Sequence, residues 1–224
     1  RQDRISEAVA VAKNSDVVVL CVGLDETLEG EEGDTGNSYA SGDKVDLLLP
    51  EVQRELIEAV MKVGKPTIVL NMTGSAMDLR FEQEHADAIM QVWYPGARGG
   101  KVIADMLFGE LSPSGKLPIT FPRHVGQIPV YYNQPAGAHQ EHYADMQGKG
   151  FFGLYPFGFG MSYTLFQRRF PKLDKNIYKA GESVKLSLLV RNQGNFEGTE
   201  TIQVYMRDCV SSVSWPRKNL IAWK

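Results

Sequence analysis

The 224 residues carry 43% hydrophobic and 23% charged side chains with a net charge of −3. That balance suits one sizeable globular core plus part of a second unit, and it gives no electrostatic case for nucleic acid or an anionic membrane surface. No apolar run approaches the ~18 to 20 residues of a membrane span. The chain opens on Arg1-Gln2-Asp3 and carries no signal peptide, which reads as a piece of a longer protein and leaves the parent's compartment open. Cys21 and Cys209 fall in predicted strands and read as buried free thiols, with a disulfide between them as the lesser alternative.

In chain order, Ile5, Ala8, Val9 and Ala12 share one face of a first helix that ends at Asn14-Ser15. A β-branched run, residues 16–22, then reads as a buried strand closed by Gly23. A long loop rich in Gly, Asp and Ser follows, from Leu24 to about Lys44. Pro50 and Glu51 suit the start of a second helix, whose apolar stripe is Val52, Leu56, Val60 and Val63 and whose stop is Gly64. Pro66 opens a strand at 67–71, a third strand runs over 88–93, and a helix spans about 99–108. Strands separated by amphipathic helices predict an α/β fold, a mostly parallel sheet covered by helices on both faces.

From Gly115 the texture changes. Pro118, Pro122, Pro129 and Pro135 break regular structure, while aromatics crowd between Tyr131 and Tyr163 as anchors across the surface. Beyond about Arg168 the pattern alternates with period two, at 183–190 and 201–206, with Asn192-Gln193-Gly194-Asn195 as the turn. Two or three strands cannot close a sandwich, so the predicted organisation is an α/β domain over 1–167 and a truncated β-sandwich over 168–224.

The loop after the first strand is where chemistry is expected, because open α/β sheets meet ligands at the carboxyl ends of their strands. Six carboxylates lie between Asp25 and Asp34, and no basic residue falls between Lys13 and Lys44. A solvated acidic turn is the plain reading. The sharper one is that mutual repulsion raises the pKa of some members, giving a carboxylic acid able to donate a proton near neutral pH. Without charge partners, the whole of 24–44 is also expected to be mobile. Other candidates are weaker. Gly96-Ala97-Arg98-Gly99-Gly100 lacks the Gly-x-Gly-x-x-Gly spacing of a nucleotide loop. His85, His124, His139 and His142 show no tight ligand spacing, and Trp93 and Tyr94 read as packing aromatics before they read as a sugar platform. Neither a cofactor nor a metal is expected.

Several motifs in order resemble glycoside hydrolase family 3. They are Trp93-Tyr94-Pro95-Gly96 with Gly99-Gly100, Leu107-Phe108-Gly109, Pro113-Ser114-Gly115-Lys116-Leu117-Pro118, Phe121-Pro122-Arg123, and the run from Tyr155-Pro156-Phe157-Gly158 to Tyr163-Thr164. Asp208 through Ser211-Ser212-Val213 to Trp215-Pro216 resembles the start of the fibronectin-III-like domain that follows in many members. The resemblance implies the α/β sandwich that lends an acid/base glutamate to a (β/α)8 barrel bearing the aspartate nucleophile. No segment here is similar to the barrel's Ser-Asp-Trp stretch, and there are too few strands for a barrel. Retaining hydrolysis needs two carboxyls roughly 5 Å apart, so one loop supplies half of the pair. Relatives with a Glu-x-Glu-x-x-Asp-Arg arrangement place Glu31 in the catalytic slot; a count for shorter loops gives Glu29, and Glu32 reads as a solvated charge. Where the family has Asp-Arg, Asp34-Thr35 stands here, removing a cation that would hold the loop.

The expectation is therefore a fragment of a retaining β-glycosidase, a β-glucosidase before a β-xylosidase, acting on a β-linked glucoside or oligosaccharide in concert with its own missing barrel. A non-catalytic carbohydrate-binding or interaction module on the same scaffold is the alternative.

Overall fold

The computed structural model describes residues 2–30, 44–135 and 153–224. Three parallel strands, β1 (Val18–Gly23), β2 (Thr67–Met72) and β3 (Ala88–Gln91), lie side by side in that order. Helices α1 (Gln2–Lys13), α2 (Glu51–Met61), α3 (Arg80–His85) and α4 (Gly99–Leu107) fill the intervals. The parallel α/β arrangement expected from the alternation is present. α3, too short to show a helical period in the sequence, is an addition.

Local chemistry sets the helix ends. Pro50 sits just outside α2, and its carbonyl accepts the amides of Gln53 and Arg54 at 2.9 and 3.1 Å. After α2, Gly64 takes φ 75°, a left-handed conformation that costs glycine little, and its amide bonds back to the Met61 carbonyl.

The register pairs Leu20 with Val69 and Val22 with Asn71, so these four side chains share one sheet face. On that face Leu20, Val22 and Val69 pack with Ala12 of α1 and Ile57 and Val60 of α2, and Ile57 is only 1% exposed. Burying each large aliphatic side chain contributes about 1.5–3 kcal/mol. The opposite face carries Val19, Cys21 and Leu70. Leu70 is buried, but Val19 is 42% exposed and Cys21 is exposed as well. Among the described residues, cover on this second face thus stops short of β1. For that reason Cys21 is not the buried thiol expected from its strand position, and Cys209, also exposed, is free too.

The proline- and aromatic-rich segment is less irregular than its composition implies. Residues 117–121 and 154–159 pair through main-chain bonds between Leu117 and Phe159, Leu117 and Gly158, Phe121 and Tyr155, and Leu154 and Phe121. Trp93, Phe121, Tyr155 and Phe159 form a continuous aromatic chain with centroid spacings of 6.1, 6.3 and 5.2 Å.

The remaining residues form two antiparallel pairs, β4 (Phe166–Leu173) with β5 (Leu186–Asn192), and β6 (Gln203–Met206) with β7 (Asn219–Trp223). β5 and β6 lie within or close to the predicted alternations; β4 and β7 were not foreseen. Contacts tie these strands to the preceding residues. Glu200, with a side chain 7% exposed, pairs with both Lys116 and Arg168, and Tyr132 stacks on Phe157 while meeting Tyr205 edge-on. Phe170 at 72% and Trp223 at 73% exposure leave large apolar surface bare on these short sheets.

Candidate functional site

Each of the three parallel strands delivers its following loop to one rim at the carboxyl end of the sheet. After β1 the chain makes a tight turn, in which the amides of Leu28 and Glu29 bond the Asp25 carbonyl and the Asp25 carboxylate accepts from Thr27. This turn aims the Glu29 side chain at the loops that follow β2 and β3. The Gly74 amide donates to Glu29 Oε2 at 2.6 Å and the Tyr94 hydroxyl donates to the same oxygen at 2.7 Å. Oε1 accepts from the Ser75 hydroxyl and lies 3.2 Å from Lys44 Nζ. The ammonium also donates to Ser75 Oγ and approaches Met77 Sδ at 3.4 Å. The Glu29 and Lys44 side chains are only 14% and 18% exposed.

The scaffold behind this carboxylate is specified in detail. Asn71 and Thr73, both fully buried, bond to each other, and the Asn71 side-chain amide also donates to the side-chain Oε1 of Gln91 across the strand pair. Thr73 Oγ1 donates to the Ser75 carbonyl at 2.8 Å, which shapes the turn presenting Gly74 N–H and Ser75 O–H. Asn71 Oδ1 has no hydrogen-bond partner among the described residues, so only the donor side of this amide holds the turn. A side chain at Gly74 would bring a Cβ within 2.8 Å of the Tyr94 ring and 3.2 Å of Glu29 Oε2, so the close approach requires glycine. Trp93, partly buried against the core, holds a left-handed φ of 53° and packs edge-on to Phe121. The next residue, Tyr94, is 53% exposed and turns its hydroxyl toward Glu29.

Partners decide the charge on Glu29. Burial pulls its pKa upward, but hydrogen bonds from Ser75, Tyr94 and Gly74 and the Lys44 charge together hold it below the usual carboxylate range. Asp25 is lowered too, chiefly by the Thr27 hydroxyl and amide. The Tyr94 phenol is pushed up to about 12 by burial and by the adjacent carboxylate. Repulsion among the acids was expected to raise pKa values. For the acids of this loop whose shifts are defined, local donors outweigh it. The expectation of a loop lacking charge partners is likewise corrected, since Glu29 and Lys44 pair with each other. Glu31, Glu32 and Asp34 lie outside the described residues, as does the expected mobility of 31–43.

A second carboxylate contrasts with the first. Glu82 on α3 is 4% exposed, and its Oε2 has no hydrogen-bond partner among the described residues. Burial, reinforced by the Asp78 charge, raises its pKa despite an opposing contribution from His85. The Tyr155 phenol is also raised, by burial and by the charge of Glu82.

Of the histidines, His85 stacks on Phe81 at 4.2 Å, and His124 Nδ1 accepts the Gly126 amide. His139 and His142 lie outside the described residues. Among the described residues no trio of His, Cys, Asp or Glu has a metal-binding arrangement, and no helix is long and apolar enough to cross a membrane. Lys44, Gly74 and Ser75 were not singled out from the sequence. The signal that finds Gly74 and Ser75 is positional, since both follow a parallel strand's carboxyl end.

Comparison with known proteins places this rim in context. Residues 2–163 match the glycosyl hydrolase family 3 C-terminal domain. A β-xylosidase of Formosa agariphila is 40% identical, over 97% of this chain and 29% of its own length. A periplasmic β-glucosidase of Salmonella typhimurium is 38% identical, over 98% of this chain and 28% of its own length. Among solved structures, a β-glucosidase from Listeria innocua in complex with glucose superposes with a TM-score of 0.88 at 33% identity, covering 100% of this chain and 31% of the other. A β-glucosidase from Erythrobacter marinus gives 0.89 at 35% identity, covering 100% and 29%. The chain thus spans less than a third of the length of these relatives. With the family's domain matched over most of its residues and the fold shared throughout, the chain belongs to glycoside hydrolase family 3, of which it represents the C-terminal domain.

Proposed function

We propose that this chain is the part of a retaining β-glycosidase that lends the general acid/base to an active site whose nucleophile lies on a (β/α)8 barrel elsewhere in the parent protein. Glu31 is the acid/base in this reading. The carrying observation is the state of Glu29. Its two oxygens are occupied by Ser75, Lys44, Gly74 and Tyr94, and it is held ionised. A carboxylate so engaged has no proton to donate and no free face toward a glycosidic oxygen. The catalytic slot then falls to Glu31, two residues further along the same loop. In this reading residues 1–167 form the α/β domain, and 168–224 are the first strands of a fibronectin-III-like domain.

The favoured substrate is a β-linked glucoside or oligosaccharide, as the names of the structural neighbours suggest. A β-xyloside is the second reading, because the Formosa agariphila relative is a β-xylosidase. The test is kinetic, in the full-length parent. Glu31→Ala lowers hydrolysis of glycosides with poor leaving groups by about 10²–10⁴-fold. It spares kcat/KM for activated aryl glycosides, whose departure needs no protonation, but slows their turnover at the glycosyl-enzyme, where azide restores part of the loss. Normal turnover of aryl β-glycosides by the 224-residue chain alone overturns the two-domain reading, since one acid without a nucleophile forms no glycosyl-enzyme.

A further inference from the structure

We infer that Glu29 and Lys44 form a clamp across the neck of the segment 30–43, and that this clamp, seated on Ser75, Gly74 and Tyr94, positions the acid/base for proton transfer without itself exchanging protons. The inference rests on the assignment of Glu31 made above.

The neck is defined by what stands on either side of it. Glu29 is the last side chain before the segment and Lys44 the first after it, and their charges meet at 3.2 Å. The pair is not a loose surface contact. Both side chains are mostly buried, and each also bonds to the Ser75 hydroxyl, so carboxylate, hydroxyl and ammonium close a small ring. The ring is fixed to the sheet through Gly74 N–H after β2 and Tyr94 O–H after β3. Both ends of the segment are thereby referred to the same three strand ends. Partly buried ion pairs with further hydrogen bonds are screened little by salt and hold one geometry. A general acid must sit within hydrogen-bond reach of the leaving oxygen, and displacement by ~1 Å costs up to about a hundredfold in rate. Anchoring the neck is therefore a means of setting the reach of Glu31.

The experiment measures leaving-group dependence in the full-length parent for Glu29→Gln, Lys44→Met, Lys44→Arg and Tyr94→Phe. Tyr94→Phe is the variant least able to perturb folding, because the ring is half exposed. Expected are a fall of roughly ten- to a hundredfold in kcat/KM on alkyl glycosides for Glu29→Gln and Lys44→Met, and a few-fold fall for Tyr94→Phe. Activated aryl glycosides react nearly as before, azide rescues none of these variants, and Lys44→Arg recovers most of the activity. Glu29→Gln combined with Lys44→Met loses no more than the worse single variant, because both remove one interaction. If Glu31→Ala is rescued by azide while the neck variants are unaffected, or lose activity equally on all leaving groups, the clamp is overturned and the acid/base assignment stands. If azide instead rescues Glu29→Ala and not Glu31→Ala, the assignment fails and the clamp fails with it.

Discussion

Two glutamates in one domain meet opposite fates. At the rim, Glu29 is partly buried yet ionised, because four neighbours direct donors or positive charge at its two oxygens. Against the aromatic segment, Glu82 is almost fully buried, keeps one oxygen without a hydrogen bond among the described residues, and is pushed toward its neutral form. Burial acts in the same direction on both. The difference is the supply of donors, and that supply depends on where the backbone places loop amides and hydroxyls, not on the acid's own sequence neighbours.

The comparison can be broken most forcefully at the rim. Glu29→Gln removes the charge that organises Lys44, Ser75 and Tyr94, and is expected to lower stability by about 2 kcal/mol at neutral pH in urea denaturation, in line with bonds to charged groups. A loss below a few tenths would mean that the partners do not rely on the charge. Gly74→Ala acts on the same cluster by volume alone. The added methyl meets the Tyr94 ring and Glu29 Oε2, with an expected cost of about 1–2 kcal/mol. Combining Gly74→Ala with Tyr94→Phe is expected to be sub-additive, because the methyl displaces the ring whose hydroxyl bonds Glu29 and so disturbs the bond that Tyr94→Phe removes; full additivity in the double-mutant cycle counts against a shared cluster.

pH sharpens the contrast, because the two acids carry opposite signs. Glu29 has a folded pKa below its unfolded value, so its contribution is present above the unfolded carboxylate pKa and is lost as pH falls through the folded one. Glu82 has a folded pKa above its unfolded value, so the native state is progressively penalised as pH rises from the unfolded value through the folded one. Urea midpoints measured from acid to neutral pH are expected to fall less steeply toward acid in Glu29→Gln than in the parent sequence. In Glu82→Gln the penalty toward neutral pH disappears. That last change is the smallest, roughly 1 kcal/mol or less, since glutamine keeps the volume and stays neutral. A Glu82→Gln chain that is less stable at neutral pH than the unaltered one would show that the carboxylate has an unrecognised partner.

Much of the α/β layer was readable beforehand. Val18 to Val22 and Thr67 to Asn71 are short, β-branched and bounded by Gly or Pro, and Pro50 and Gly64 punctuate α2. α3 escaped because six residues hold fewer than two helical turns. β4 escaped because Arg168, Arg169, Pro171 and Lys172 hide any alternation. At the rim, the acidic loop was conspicuous, but its partners were not. Ser75 and Tyr94 are separated from Glu29 by 46 and 65 positions, and only the parallel register brings their strand ends together. Cys21 was misplaced for a related reason: alternation tells which residues share a face, but not whether anything covers it.

The side chain of Gln53 has a consequence for how this sheet ends. The amides of Val18 and Leu24 bond toward β2, so the intervening odd-numbered residues of β1 turn their backbone groups to the other margin, where no strand lies among the described residues. At Gly23 both groups are taken by one glutamine amide, which accepts the N–H at 2.8 Å and donates to the carbonyl at 2.7 Å. Gln53 thereby imitates the backbone of a fourth strand for a single rung. Among the described residues, a foreign strand zipping along β1 finds the ladder open beside Val19 and Cys21 and shut where the acidic loop departs. Strand addition, the usual hazard of a bare sheet margin, is in this way kept from propagating into the rim that holds Glu29.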